Sequence, residues 1–153
     1  MKLAPEQALH ACWQKNAAPW VDAVRQGEIE SRTLATNRAI VDVLLGLQPK
    51  TVLDVGCGEG WLVRELGSRG VDCLGIDGVQ TLINAAQTAG GGRFKTLPFE
   101  ALSPASIKEK FDAIVCNFSL LGEESVTHLF RQAPLLLKTG GGLIVQTLHP
   151  VAG

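Results

Sequence analysis

Residues 52–66 read VLDVGCGEGWLVREL. An apolar run ends at Asp54, and Gly56, Gly58 and Gly60 follow at alternate positions. A helix-like pattern then begins at once. Three glycines and two carboxylates on one turn make a specific physical demand. Gly56 permits a tight turn, Gly58 lets the backbone approach a ligand with no Cβ in the way, and Gly60 lets a helix start close to a sheet. The stretch predicts a strand, a ligand-binding loop and a helix, with the ligand outside the carboxyl end of the strand.

The rest of the chain continues that alternation. VDCLGID (71–77), RFKTL (93–97), FDAIVCNFSL (111–120) and GLIVQTLHP (142–150) read as further strands. GVQTLINAAQTAGGG and EESVTHLFRQAPLLLKTGGG read as helices, the second kinked or restarted at Pro134. PFEALSPASIKEK is a connection with room for one helical turn. Strands alternating with helices predict an α/β fold with a doubly wound parallel sheet. Ahead of the first strand, three helices are predicted: 5–16 with Pro5 at its start, 19–27 with Pro19 in its first turn and Gly27 as its stop, and 33–49 closed by Pro49. Residues 1–50 are expected to cover a core formed by 51–153.

Length and composition agree with one domain. A chain of 153 residues buries about 70% of its unfolded surface. The net charge of −1 gives no electrostatic reason to expect nucleic acid or an anionic membrane. Cys12, Cys57, Cys73 and Cys116 show no metal-ligand spacing and read as free thiols of a reducing compartment. No signal peptide or membrane-spanning run is visible, so a cytoplasmic location is expected.

The identity of the ligand follows from the charge of the loop. The spacing is GxGxG, and no lysine follows as in a phosphate-cradling P-loop. Asp54 and Glu59 would repel a pyrophosphate and favour a ligand carrying positive charge. S-adenosylmethionine carries a sulfonium and an ammonium and no phosphate. Asp77 ends the second strand, where an acid hydrogen-bonds ribose hydroxyls; it also suits the N-cap of the next helix.

The chain resembles the class I S-adenosylmethionine-dependent methyltransferases. The resemblance rests on VLDVGCGEG, LGID, FDAIVCNFSLL and LLLKTGGGLIVQ, in that order, within residues 51–149. It implies a Rossmann-like sheet in the order 3-2-1-4-5 and methyl transfer from the cofactor, leaving S-adenosylhomocysteine. It places Asp54, Gly56, Cys57 and Gly58 along the methionine end, with Gly60 closing the loop. Asp77 falls on the ribose, with Gly78 and Val79 beside the adenine. Phe99 is a candidate for stacking on the base, and Asn117 and Phe118 fall near the transferring methyl. NFSL departs from the NPPY-type signature of enzymes that methylate amino groups of nucleic acid or glutamine, which disfavours those substrates. A small-molecule acceptor is expected.

Arg32 lies between N-terminal helices and is a candidate partner for the cofactor carboxylate, against a solvated surface role. His149, after the last strand, and Asn117 are weak catalytic candidates, His149 as a general base. Trp13, Trp20 and Trp61 read as packing residues, with Trp61 beside the glycine loop. Relatives of this type continue past the fifth strand, so the sequence is expected to be a fragment lacking C-terminal strands, or a short form pairing that sheet edge in a homodimer. Two other readings are a non-catalytic module that keeps the cofactor pocket and, more distantly, a nicotinamide-dependent oxidoreductase.

Overall fold

The computed structural model describes residues 6–148; His149, Pro5 and the last residues of the chain lie outside them. Five strands form one parallel sheet: β1 (Thr51–Val55), β2 (Asp72–Asp77), β3 (Arg93–Thr96), β4 (Phe111–Asn117) and β5 (Leu137–Gln146). Their order is β3-β2-β1-β4-β5, with every neighbouring pair parallel. The order agrees with the sequence expectation. Between β1 and β4 it reverses direction, which puts the ligand site at the carboxyl ends of those two strands.

Each strand of the sheet centre is apolar on both faces, as a sheet covered on both sides requires. On one face Val52, Ala113 and Val115 pack with Ile40, Val41 and Leu44 of α2 (Asn37–Gly46) and Leu62, Val63 and Leu66 of α3 (Trp61–Gly67). Ile83 of α4 (Gln80–Ala89) completes that layer. On the other face Leu53, Val55, Ile114 and Cys116 meet Leu129, Ala133 and Leu136 of a long helix, 123–136, which follows a short one. These two helices are α5 (Pro104–Ile107) and α6 (Glu123–Leu136). Phe111, fully buried, anchors the foot of this second layer.

The N-terminal segment departs from expectation. Helices 5–16 and 19–27 are one helix, α1 (Glu6–Arg25), with Pro19 inside it. A proline there removes one donor, but Lys15 and Pro19 both lie on the exposed face of the helix, where solvent can replace that bond. The opposite face has its own small core, in which Ala17 and Val21 pack on Val79 and Leu82. The helix predicted over 33–49 forms without a break, with its bounds shifted toward the N-terminus. Arg32–Thr36 form a wide π-type turn, and α2 proper stops at Gly46. Pro49 disfavours helical backbone at Gln48, which takes φ +51°.

The end of the sheet differs too. α6 runs through Pro134 and stops at Leu136, and β5 begins at once at Leu137 rather than at Gly142. The lysine–threonine–glycine stretch is a bulge, not the end of a helix. Leu137 pairs with Phe111 and Gly142 with Ala113, so five steps on β5 oppose two on β4. Gly140 sits at φ +81°, and a Cβ on Gly141 would lie 2.9 Å from the Asp112 carbonyl oxygen.

Gly60 fixes how tightly α3 joins the sheet. Its φ is +84°, and an added Cβ would fall 2.5 Å from the Phe94 ring of β3 and 3.0 Å from Ala86 of α4. Gly60→Ala therefore combines left-handed strain with overpacking, an expected loss of about 1–3 kcal/mol. Urea denaturation of the variant reads it; an unchanged midpoint would show that the ring and the helix yield freely.

Candidate cofactor site

A cavity of about 960 Å³ opens at the carboxyl ends of β1, β2 and β4, roofed by α1. Its floor is the glycine loop. Gly56 and Cys57 both donate backbone N–H to the Ile76 carbonyl, at 2.8 and 2.9 Å, which ties the loop to the end of β2. A Cβ on Gly56 would fall 2.4 Å from that of Ser119, whose hydroxyl donates to the Val55 carbonyl. Gly58 is different: the nearest atom to a Cβ there is Trp20 Nε1, across the cavity at 3.7 Å. The space left by Gly58 belongs to the cavity, as an approach of ligand to backbone requires.

Asp77 organises the loop. Its Oδ2 accepts the Gly58 N–H at 3.0 Å and its Oδ1 accepts the Val79 N–H at 2.8 Å. The ribose-binding and helix-capping readings of Asp77 are thus compatible, because each oxygen keeps a lone pair after its backbone bond. Burial raises the Asp77 carboxyl above its usual range, opposed by these two N–H groups and by His10. Asp54 lies behind the loop, only 2% exposed, with Oδ1 lacking any partner. Burial, then the charge of Asp77, pushes it up to about 7.

Glu59 does not play the part the sequence suggested. It is buried and already neutralised. Arg64 donates to both of its carboxylate oxygens, at 2.6 and 2.7 Å, and to its main-chain carbonyl. Arg25 of α1 donates to Oε2 at 2.9 Å and to the Ala85 carbonyl at 3.0 Å. Of the acids at the loop, Asp77 keeps its carboxylate on the cavity and Asp54 lies behind it; Glu100 and Glu124 also line the cavity.

Gly78 and Val79 line the cavity beyond Asp77, with Pro98 and Phe99 opposite. Asn117 and Phe118 line it where β4 ends. Phe118 holds φ +55°, unusual for an aromatic residue, while its N–H donates to the Gln146 carbonyl at 2.8 Å. Such strain at a cavity wall is typical of binding sites. Arg32 also reaches the cavity. Its guanidinium lies 5.6 Å from the Trp20 ring and 5.2 Å from the Trp61 ring, and Nε donates to Asn37. Burial lowers its pKa, opposed by Glu59, yet among the described residues no carboxylate lies within ion-pair distance of it. Gly60 stands behind the wall, and His149 is outside the described residues. Burial pushes the Cys57 thiol up, so it stays protonated.

Sequence reasoning missed the roof. Leu9, His10, Trp13, Trp20 and Val24 all line the cavity from α1. Trp13 and Trp20 meet edge to face, centroids 5.3 Å apart. Leu9, Trp13, Ala17, Trp20 and Val24 form one apolar stripe, i, i+4, i+8, i+11 and i+15, with His10 beside it. Dividing the helix at Pro19 concealed it.

The family described as a methyltransferase domain matches residues 29–151. The ubiquinone biosynthesis O-methyltransferase of Psychrobacter cryohalolentis is 33% identical over 112 residues, covering 69% of this chain and 43% of that protein. The enzyme of the same name from Acinetobacter baylyi is 28% identical, covering 68% and 46%. The chain thus spans about half the length of these relatives. Among solved structures, a DhpI complex with S-adenosylmethionine aligns at TM-score 0.75 and 15% identity, over 98% of this chain and 70% of that one. Magnesium protoporphyrin IX methyltransferase from Synechocystis, with bound S-adenosylhomocysteine, aligns at 0.68 and 21% over 84% and 68%. At these identities the two alignments establish the shared fold.

Proposed function

Because this chain belongs to the methyltransferase-domain family, we propose that it binds S-adenosylmethionine and serves methyl transfer to a small-molecule acceptor. The observation that carries the reading is the Gly58–Asp77 pair: a bare, left-handed glycine facing a cavity, held by an acid with free lone pairs. When bound, the cofactor supplies an electrophilic sulfonium methyl that an acceptor takes in one in-line displacement.

The residues of the chain divide the work. Asp77 accepts the ribose hydroxyls, with Gly78, Val79 and Phe99 around the adenine. Gly56, Cys57 and Gly58 run beneath the methionine end, and Asp54 supplies negative charge behind them. Arg32, clamped by two tryptophans with its Nε committed, offers its remaining N–H groups to the cofactor carboxylate. Asn117 and Phe118 border the methyl. The chain contributes proximity and orientation. Leu121 and Leu148 give the adjoining wall an apolar character suited to a small organic acceptor, and the cavity is at the upper end of the usual range of roughly 300–1,000 Å³ for small-molecule sites. The names of the O-methyltransferase relatives support that substrate class. No described helix is long and apolar enough to cross a membrane.

Calorimetric titration with S-adenosylmethionine and S-adenosylhomocysteine tests the reading. Asp77→Asn keeps one acceptor for the loop N–H groups but loses the charge, so affinity is expected to fall about tenfold to a hundredfold. A folded chain that binds neither ligand would refute the assignment.

A further inference from the structure

The N-terminal helix brings a histidine to the nucleoside end of the cavity. His10 lines the cavity beside the apolar stripe of α1, one turn before Trp13 and Gln14. Its Cε1 is 3.3 Å from where a Cβ on Gly78 would stand, and Pro98 Cβ is 3.2 Å from the same point. Three segments therefore converge on one glycine: the β2–α4 turn, the turn after β3, and α1. A side chain at position 78 would force them apart.

Beyond His10, α1 is anchored at two places. Ala17 and Val21 seat α1 on Val79 and Leu82, in the helix that begins just after Gly78. Arg25 ties the far end of α1 to Glu59 and Ala85. The imidazole is close enough to Asp77 to favour its ionised form. Its Nε2 lies 3.2 Å from Gln14 Nε2, and no hydrogen bond to Nδ1 occurs among the described residues. A ring with one nitrogen unbonded among the described residues thus lines the cavity beside the acid that would carry a ribose.

We propose that His10 is a nucleoside-binding residue, which closes over Gly78 from α1 and hydrogen-bonds the ribose of an adenosine ligand alongside Asp77. The proposal rests on the cofactor reading above and extends it: the nucleoside is gripped from two sides, by the sheet edge and by α1. Arg32 grips the other end of the ligand. The two ends of the cavity are therefore separable by ligand truncation.

The test is calorimetric titration of the full chain with S-adenosylhomocysteine and with 5′-methylthioadenosine, which keeps the nucleoside and lacks the amino-acid end. His10→Ala is expected to weaken both ligands by a similar factor, about fivefold to tenfold. His10→Asn, which restores a polar group near Nδ1, is expected to recover most of the loss. Arg32→Met is expected to weaken S-adenosylhomocysteine alone. Equal affinities for wild type and His10→Ala, at unchanged thermal midpoint, would overturn the proposal. So would a loss confined to S-adenosylhomocysteine. Failure of the wild type to bind either ligand would remove the cofactor reading itself, and this inference with it.

Discussion

Arg64→Ala is expected to cost the folded chain about 3–5 kcal/mol, the range for stranding a buried charge. The charge stranded is Glu59, whose side chain is 1% exposed. Arg64 supplies bonds to both carboxylate oxygens and to the main-chain carbonyl of the same residue. Without it, Arg25 alone remains, and its side chain is 43% exposed, where water weakens the pairing. A chain of this size loses roughly 2–4 °C of Tm per kcal/mol, so a fall of about 10 °C is expected. Glu59→Gln should cost less, because it removes the buried charge and leaves two arginines that can hydrate. The double variant Arg64→Ala/Glu59→Gln should then be more stable than Arg64→Ala alone. Urea denaturation of the four proteins closes the cycle. Additive effects of the two changes would show that the pair is uncoupled and that Glu59 is tolerated for another reason.

That triad also marks where local reading of the chain ends. The strand, the alternate glycines and Asp77 were legible because their chemistry is local: a turn needs positive φ, and an acid follows a strand at a fixed position in the β-α-β unit. Sheet order followed from family resemblance and agrees with the structure. Arg64 is a local partner of Glu59, but the second, Arg25, lies 34 residues earlier and is placed by helix packing, so the neutralised pair of contacts was not legible. The charge argument for a cationic ligand counted Asp54 and Glu59; the structure neutralises Glu59, sets Asp54 behind the loop and brings Asp77, Glu100 and Glu124 to the cavity.

Two boundaries failed for a related reason. Pro19 reads locally as a helix start, and the structure carries the helix through it because burial on the opposite face outweighs the one donor lost. The stretch from Leu137 to Gly141 reads locally as a helix end, and pairing with β4 makes it strand and bulge. The consequence was functional in the first case. A helix split at Pro19 has no continuous stripe, so Leu9 and Trp13 were not joined to Trp20 and Val24, and the roof of the site went unread.

Asp54→Asn is expected to stabilise the protein at pH 8 and to leave its stability at pH 4 nearly unchanged. Asp54 titrates near 7 in the folded chain against 3.8 when unperturbed. Below pH 4 it is protonated in both states and contributes no pH dependence. Between about 4 and 7 the unfolded chain has lost the proton and the folded chain retains it, so stability falls by roughly 1.4 kcal/mol per pH unit as pH rises. Above 7 the full cost, a few kcal/mol, is present. Asparagine removes that slope, and denaturation midpoints at the two pH values measure it. Cofactor affinity should move the opposite way. A cationic ligand held on the glycine loop in front of Asp54 favours the carboxylate, so wild-type affinity for S-adenosylmethionine should rise with pH through 7, and binding at pH 6 should release protons. The variant should bind more weakly at pH 8, with a smaller loss for S-adenosylhomocysteine, which lacks the sulfonium charge. A variant more stable at pH 8 and equally good at binding would make Asp54 a burden without a use. A variant no more stable would mean that the unpartnered oxygen, and not its charge, is what the fold tolerates there.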